Sequence, residues 1–331
     1  VKRTQAAPDN RIVSRRTAWL LLAMVIVLWG ANWPVMKVGL DYLPPVSFAA
    51  TRLLLGALTV ALVAAWRGEL QRPARQDVPV VLGVGLLQMA GYLGLVTFGL
   101  QYVPAGRSAI LAYTTSLWVV PMASMLLGER LSGLRLAGFC LGLGGVLVLF
   151  NPFGFDWTDP DVILGNGLLL LAALLWAILI VQVRGHRMAG SPLSLAPWQF
   201  AIGALFLVPL AVVLEGGRDW DWSPMLVAIL VYNGPLATAF CFWAMITITR
   251  SLPAITTSLS SLGVPVFGLV VSALTIGEPL TATNVGGLLL IVLGLACVTL
   301  ADSRSRRTTD AAVPAKPRPE TEDGVAGRRI D

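Results

Sequence analysis

The stretch from Val103 to Phe150 recurs later in the chain without a gap. At a constant offset of 149, Val103-Pro104-Ala105 falls on Leu252-Pro253-Ala254 and Gly128-Glu129-Arg130-Leu131 on Gly277-Glu278-Pro279-Leu280. Gly138 and Gly145 fall on Gly287 and Gly294 at the same offset. Each copy reads as two apolar helices joined by a short Gly-Glu turn. The parts before them agree more weakly at an offset of 147, which pairs Trp29 with Trp176, Pro45 with Pro192 and Gly56-Ala57 with Gly203-Ala204. A chain duplicated in this way is expected to fold as two related units packed on each other.

Composition says what solvent those units fold in. Hydrophobic residues make up 56% of the chain and charged residues 13%, against roughly 25% charged in soluble domains. Apolar runs lie at about 17–36, 46–66, 78–99, 105–127, 133–150, 162–183, 193–214, 224–247, 253–275 and 283–301, most near the roughly 20 residues that cross a bilayer. The expected fold is an all-α integral membrane protein of ten transmembrane helices, with repeat 1 over 17–150 and repeat 2 over 162–301. A short segment, 1–16, precedes them. The tail 302–331 is rich in charge and Pro, a composition that predicts disorder. The first apolar run is longer than a signal-peptide core and no small-residue cleavage pattern follows it, so it is expected to be a retained helix.

Charge placement predicts the orientation. Twenty of the 24 Lys and Arg fall in the N-terminal segment, the tail and alternate connections, at Arg67, Arg72, Arg75, Arg130, Arg135, Arg184, Arg187 and Arg250 among others. The remaining connections hold acids such as Asp41, Asp156, Glu215 and Asp219. By the positive-inside rule both termini are cytoplasmic. The formal charge of +6 is then a topology signal, and no nucleic-acid partner is expected. Five helices per repeat, an odd number, turn the second repeat upside down relative to the first. Inverted repeats let a carrier open alternately to either side of one midplane site, so the architecture favours transport.

Several helices carry polar groups at depths where they need a partner. In the first, Trp29, Asn32 and Trp33 share a face by i, i+3 and i, i+4 spacing, and an intramembrane Asn either bonds another helix or lines a pocket. Arg52 in the second helix has Gln199 as its counterpart in the seventh. A guanidinium at that depth faces a protein interior, a cavity or the headgroups; polar residues at related positions favour a structural or gating role for both. Gln88 and Tyr92 lie one turn apart in the third helix, amid small residues. The fourth carries Tyr113-Thr114-Thr115-Ser116 and a kinking Pro121, and the ninth answers with Thr256-Thr257-Ser258, Ser260-Ser261 and Pro265. Trp176, Phe240 and Trp243 add aromatic surface in the sixth and eighth helices. The candidate substrate-binding set is therefore Trp29, Asn32, Gln88, Tyr92, Tyr113, Trp176, Phe240 and Trp243, with Gln88 and Tyr92 facing Trp176 and Trp243 across a pocket shared by the repeats. The glycines of helices 5 and 10 read as scaffold or dimer contacts; the sequence leaves the oligomeric state open. Cys140, Cys241 and Cys297 lie inside helices and show no disulfide or metal spacing, so no metal and no cofactor is expected.

Ten helices in two repeats, the Trp29-Gly30-Ala31-Asn32 run, an intramembrane Arg52, and the Pro-Ala starts and Gly-Glu turns together resemble the drug/metabolite transporter superfamily in its EamA-type exporter branch. The resemblance spans residues 17 to 301 and, within that branch, is greatest to the YddG-type exporters of aromatic amino acids and some organic cations. It implies a multi-pass protein of the bacterial inner membrane and a basket-like cavity lined by helices 3, 4, 8 and 9 with helices 1 and 6.

The residue supply fits a carrier exporting amphipathic small molecules, chiefly aromatic and other neutral amino acids, since aromatic walls with a few placed polar groups suit such ligands. Broad export of lipophilic organic cations by cation–π contact is the alternative, and a channel is the alternative of another class. No nucleophile with a base, no metal cluster and no paired carboxylates fall within the spans, so an enzyme is not expected. With the acids in loops or tails, downhill movement or exchange follows more easily than proton coupling.

Overall fold

The computed structural model describes residues 13–127, 132–150, 158–184, 186, 188–252 and 263–312. Every regular element among them is helical: α1 (Arg15–Gly39), α2 (Pro45–Trp66), α3 (Arg75–Gly99), α4 (Ala105–Ala112 and Thr115–Leu127), α5 (Gly133–Phe150), α6 (Pro160–Arg184), α7 (Pro192–Glu215), α8 (Pro224–Ser251), α9 (Gly263–Ile276) and α10 (Ala282–Ala312). Seven helices are long and apolar enough to cross a membrane, and three shorter apolar helices, Gly133–Leu149, Gly263–Ile276 and Ala282–Val298, fall on the other expected spans. The Gly128-Glu129 turn and the Thr256–Ser261 hydroxyl run lie outside the described residues. α10 continues as helix to Ala312, past the expected boundary at 301, because nothing between Asp302 and Ala312 is a Gly or Pro that would stop it.

Helix starts follow local chemistry. Ser14, Ser191 and Ser223 accept side-chain caps from the backbone N–H of Thr17, Ser194 and Leu226, satisfying donors that a helix leaves free. Pro45, Pro192 and Pro224 open their helices, where a missing N–H costs nothing. Two helices change pitch midway: Val84–Tyr92 in α3 and Tyr232–Phe240 in α8 are π-helical. Such segments leave carbonyls poorly matched and re-aim the side chains that follow.

Packing joins the two halves directly. α5 lies along α10, where a Cβ on Gly138 would stand 2.6 Å from the Gly294 carbonyl oxygen and one on Gly145 would stand 2.7 Å from that of Gly287. The glycines expected as scaffold or dimer contacts thus face one another within one chain. α2 packs on α7, with Gly56 against Phe200, and α3 packs on α7, with Gly203 against Met89. α1 packs on α9 and α4 on α6.

Buried and half-buried charges clamp the helix ends. Glu215 accepts from the Val46 and Ser47 N–H groups (3.0 and 2.7 Å) and the Ser47 hydroxyl (2.7 Å) at the start of α2. Glu278 accepts from Ala105 N–H (2.5 Å) and Gly106 N–H (2.8 Å) at the start of α4. Lys37 donates to the carbonyls of Leu100, Gln101 and Val103 (2.6, 3.0 and 3.2 Å) where α3 ends. At the opposite end of the bundle Asp77 accepts from Ala189 and Gly190, both at 2.9 Å, ahead of α7. Asp77 and Glu215 are 0% and 5% exposed, so these acids are structural caps rather than solvated loop residues. Carboxylates at helix N-termini also meet the positive end of the helix dipole.

Candidate functional site

One cavity of about 90 Å³ lies among α1, α2, α3, α4, α6, α7 and α8. α1 contributes Trp29, Asn32, Trp33 and Met36, a stripe at i, i+3, i+4 and i+7. The π segment of α3 supplies Gln88, Met89 and Tyr92. Arg52, Tyr113, Trp176 and Phe200 come from α2, α4, α6 and α7, and α8 adds Ala237, Thr238 and Phe242. Both halves of the chain therefore furnish its wall. α2 and α7 line it as well, which the family resemblance did not imply; no described residue of α9 does, and residues 253–262 lie outside the description.

The aromatic walls are fixed by specific contacts. Tyr92 and Trp176 meet edge to face with centroids 4.6 Å apart, and Phe200 and Phe242 do so at 5.4 Å. The Trp29 indole N–H donates to the Ala237 carbonyl at 2.7 Å, an acceptor inside the π segment of α8. The Tyr232 hydroxyl donates to the Leu28 carbonyl at 2.6 Å, so α1 and α8 are stitched twice. In α4 the helix breaks at Tyr113–Thr114 and then runs on through Pro121. There Thr114 and Thr115 turn their hydroxyls back onto the Leu111 and Ala112 carbonyls (2.6 and 2.8 Å), a local competition with helix bonding. Those hydroxyls serve the backbone, whereas Tyr113 lines the cavity.

Arg52 is 4% exposed and reaches the cavity, not the headgroups. Its Nε and Nη2 donate to the Thr238 hydroxyl oxygen (3.2 and 2.9 Å), and its Nη1 meets the Met36 sulfur at 2.8 Å. Thr238 in turn donates to the Asn233 carbonyl at 2.6 Å, so the π segment sets the hydroxyl that holds the guanidinium. Among the described residues no carboxylate pairs with Arg52, and it is the one charged side chain among those lining the cavity. Gln199, its counterpart, is buried elsewhere, with its backbone against Gly85 of α3. The two related positions have diverged.

Of the expected residues, Trp29, Asn32, Gln88, Tyr92, Tyr113 and Trp176 surround this cavity, but Phe240 and Trp243 do not. Their rings pack together, 5.9 Å apart, against α1, and Trp243 borders a second, wider chamber of about 300 Å³ with Val13, Arg67, Glu69, Ser191 and Thr247. The π segment is the reason: its i→i+5 bonding shifts the phase of α8, so Thr238 and Phe242 face inward. Phe242 borders both chambers. Pro265 is buried near the start of α9 and Pro121 lies within α4; neither touches the central cavity. Met36, the fourth member of the α1 stripe, was recoverable from spacing alone, whereas Thr238 and Phe242 were not.

Comparison with known proteins adds to this geometry. Residues 17–151 and 163–300 each match the EamA-like transporter family. A probable amino-acid metabolite efflux pump of Escherichia coli (strain K12) is 30% identical over 86% of this chain and 94% of its own. A probable terminal-alkyne amino-acid exporter of Streptantibioticus cattleyicolor is 27% identical over 91% of this chain and 98% of its own. A protein of known crystal structure superposes with a TM-score of 0.61 at 25% identity, over 88% of this chain and 99% of that one.

Proposed function

Because the chain belongs to the EamA-like transporter family, we propose that it is an exporter of amphipathic amino-acid metabolites, chiefly aromatic and other neutral amino acids, working by alternating access in the bacterial inner membrane. The observation that carries this reading is the cavity itself. Aromatic side chains from both halves, Tyr92 and Trp176 foremost, enclose it, and Asn32, Gln88 and Arg52 supply a few polar groups. That is the make-up of a small-molecule site for a ligand with one apolar and one polar end.

Two inverted repeats, with both termini cytoplasmic, account for how such a site opens to either side. Each half carries one π segment, and α2 and α7, counterparts in the duplication, pack on each other. The wider chamber beside Ser191 and Arg67 lies on the end assigned to the cytoplasm, and the Lys37 and Glu278 clamps lie on the other. This reading makes the conformation closed outward and nearer to admitting solute from inside, with Phe242 between chamber and cavity. The buried Arg52 disfavours organic cations, since a cation would meet like charge in a medium of low dielectric.

The test is uptake and efflux with proteoliposomes holding the purified chain, using a panel of amino acids and organic cations, with and without a pH gradient. Saturable movement of aromatic amino acids supports the reading. Movement of the cations alone would overturn it.

A further inference from the structure

We infer that Arg52 and Asn32 form a head-group site for an α-amino acid zwitterion, with Arg52 taking the carboxylate and Asn32 the ammonium. The inference rests on the transport reading above and goes beyond it by naming the groups that select the substrate.

A guanidinium carries five N–H donors in one plane. Three are engaged, by the Thr238 oxygen twice and by the Met36 sulfur once. Thr238 occupies the Nε side, so one N–H on each terminal nitrogen remains. Where the Met36 sulfur takes the Nη1 hydrogen beside Cδ, those two are the parallel end-on fork that binds a carboxylate bidentately. Neither engaged partner is charged, and an unneutralised cation at membrane depth is costly. A solute carboxylate supplies the missing countercharge, whereas Thr238 and Met36 only hold the fork in place. Arg52 is thus preorganised by the π segment of α8 rather than consumed by it.

Asn32 supplies the second half of the site. It is 5% exposed, it borders the same cavity, and its side-chain oxygen has no hydrogen-bond partner among the described residues. A buried amide oxygen without a donor is an acceptor for an ammonium group. Its position is right: Asn32 lies one helical turn before Met36, whose sulfur touches Arg52, a rise of about 6 Å along α1. A carboxylate and an ammonium on one carbon bridge such a gap, leaving the side chain to lie among Trp29, Tyr92 and Trp176.

Wild-type chain in proteoliposomes is assayed first, with L-tryptophan, L-tryptophanamide, tryptamine and indole-3-acetate as competitors of radiolabelled tryptophan. The amide and tryptamine, which keep the ring and the ammonium but lose the carboxylate, are expected to compete about ten- to a hundredfold more weakly, the range for a lost charge-assisted contact. Indole-3-acetate is expected to fall between them and tryptophan. Arg52→Gln should abolish the discrimination against the amide, and Asn32→Leu should narrow the gap between tryptophan and indole-3-acetate. Arg52→Lys should rescue only partly, because an ammonium cannot match the fork. Equal competition by tryptophan and its amide overturns the inference while leaving an amino-acid carrier. Failure to move tryptophan or any other amino acid overturns the transport reading and this inference with it. If Arg52→Gln does not fold, as judged by size exclusion, the wild-type comparison decides alone.

Discussion

Tyr92 of α3 and Trp176 of α6 meet edge to face, their ring centroids 4.6 Å apart and their planes at 63°. The contact crosses from one half of the chain to the other and forms part of the cavity wall. A substrate ring stacked there replaces nothing charged, so its contribution is dispersion and quadrupole contact, about 0.5–1.5 kcal/mol beyond area burial. Trp176→Ala is expected to weaken transport of tryptophan about tenfold relative to that of alanine, and Trp176→Phe to restore most of the difference. The apparent affinities of the two amino acids in the variants are the measurement. An equal loss for both would remove Trp176 from the substrate wall.

Gly138 and Gly144 sit in the same helix with opposite surroundings. A Cβ at Gly138 would press on the Gly294 carbonyl at 2.6 Å, whereas one at Gly144 meets nothing within 4 Å. Gly138→Ala therefore forces α5 away from α10 and is expected to cost about 1–3 kcal/mol. Gly144→Ala is expected to be neutral or stabilising by up to about 1 kcal/mol, through helix propensity. Thermal midpoints of the detergent-purified variants compare them, and equal shifts would show that the α5–α10 approach is slack.

Removing the Glu215 carboxylate leaves three donors at the start of α2 without their acceptor. Buried groups stranded in this way cost about 1–3 kcal/mol each. Glu215→Ala should lower the thermal midpoint clearly, and Glu215→Gln, which keeps one acceptor oxygen, should lower it less. Glu69→Gln serves as the contrast. Its bond to Ser191 (2.8 Å) and its pair with Arg67 (3.6 Å) lie at a part-exposed site, where such contacts contribute under about 1 kcal/mol.

The ends of the helices were readable because apolar runs stop where Pro, Ser and charge begin: the expected 46–66 and 193–214 became Pro45–Trp66 and Pro192–Glu215. The α1 stripe was readable for a related reason, since an α-helix repeats faithfully over Trp29, Asn32, Trp33 and Met36. α8 failed the same reasoning. Gly234-Pro235 does mark a broken or bent helix, because Pro lacks the N–H its turn needs, but it does not say how far the helix is rotated beyond it, and Thr238 and Phe242 border the cavity where Phe240 and Trp243 were expected. The symmetric sequence pair Arg52 and Gln199 did not foretell their different surroundings, since the fold puts Arg52 at the cavity and buries Gln199 against another helix.

Charge placement assigns Gly277 and Arg218 to the outside and Arg67 to the inside. The clamps agree in grouping: Glu278 and Glu215 serve the starts of α4 and α2, while Asp77 serves the segment before α7. In a background with the three native cysteines replaced, Gly277→Cys and Arg218→Cys should react with an impermeant maleimide added outside intact cells. Arg67→Cys should react only after permeabilisation, and all three of these positions are exposed. Gly128→Cys should also require permeabilisation. Labelling of Gly128→Cys and Gly277→Cys from one side would remove the inverted-repeat argument.

Energy coupling follows from where the acids are. A pH gradient drives a solute only if loaded and empty carriers bind different numbers of protons. Among the described residues no carboxylate borders the cavity; Asp77, Glu215 and Glu278 are occupied with backbone N–H groups at the helix ends. The substrate does not supply the difference either, since a neutral amino acid keeps one net charge between about pH 4 and 8. Transport of a neutral amino acid is therefore expected to equilibrate its concentrations and to run in either direction, with rates that drift with pH but an end point that does not. Proteoliposomes with an imposed pH gradient and a clamped membrane potential measure that end point. Sustained uphill accumulation would sink the idea. The first group to suspect would then be Glu278, because protonating it would loosen the cap on α4 beside Lys37 and so open the outer end. Glu278→Gln should in that case abolish the accumulation while leaving exchange intact.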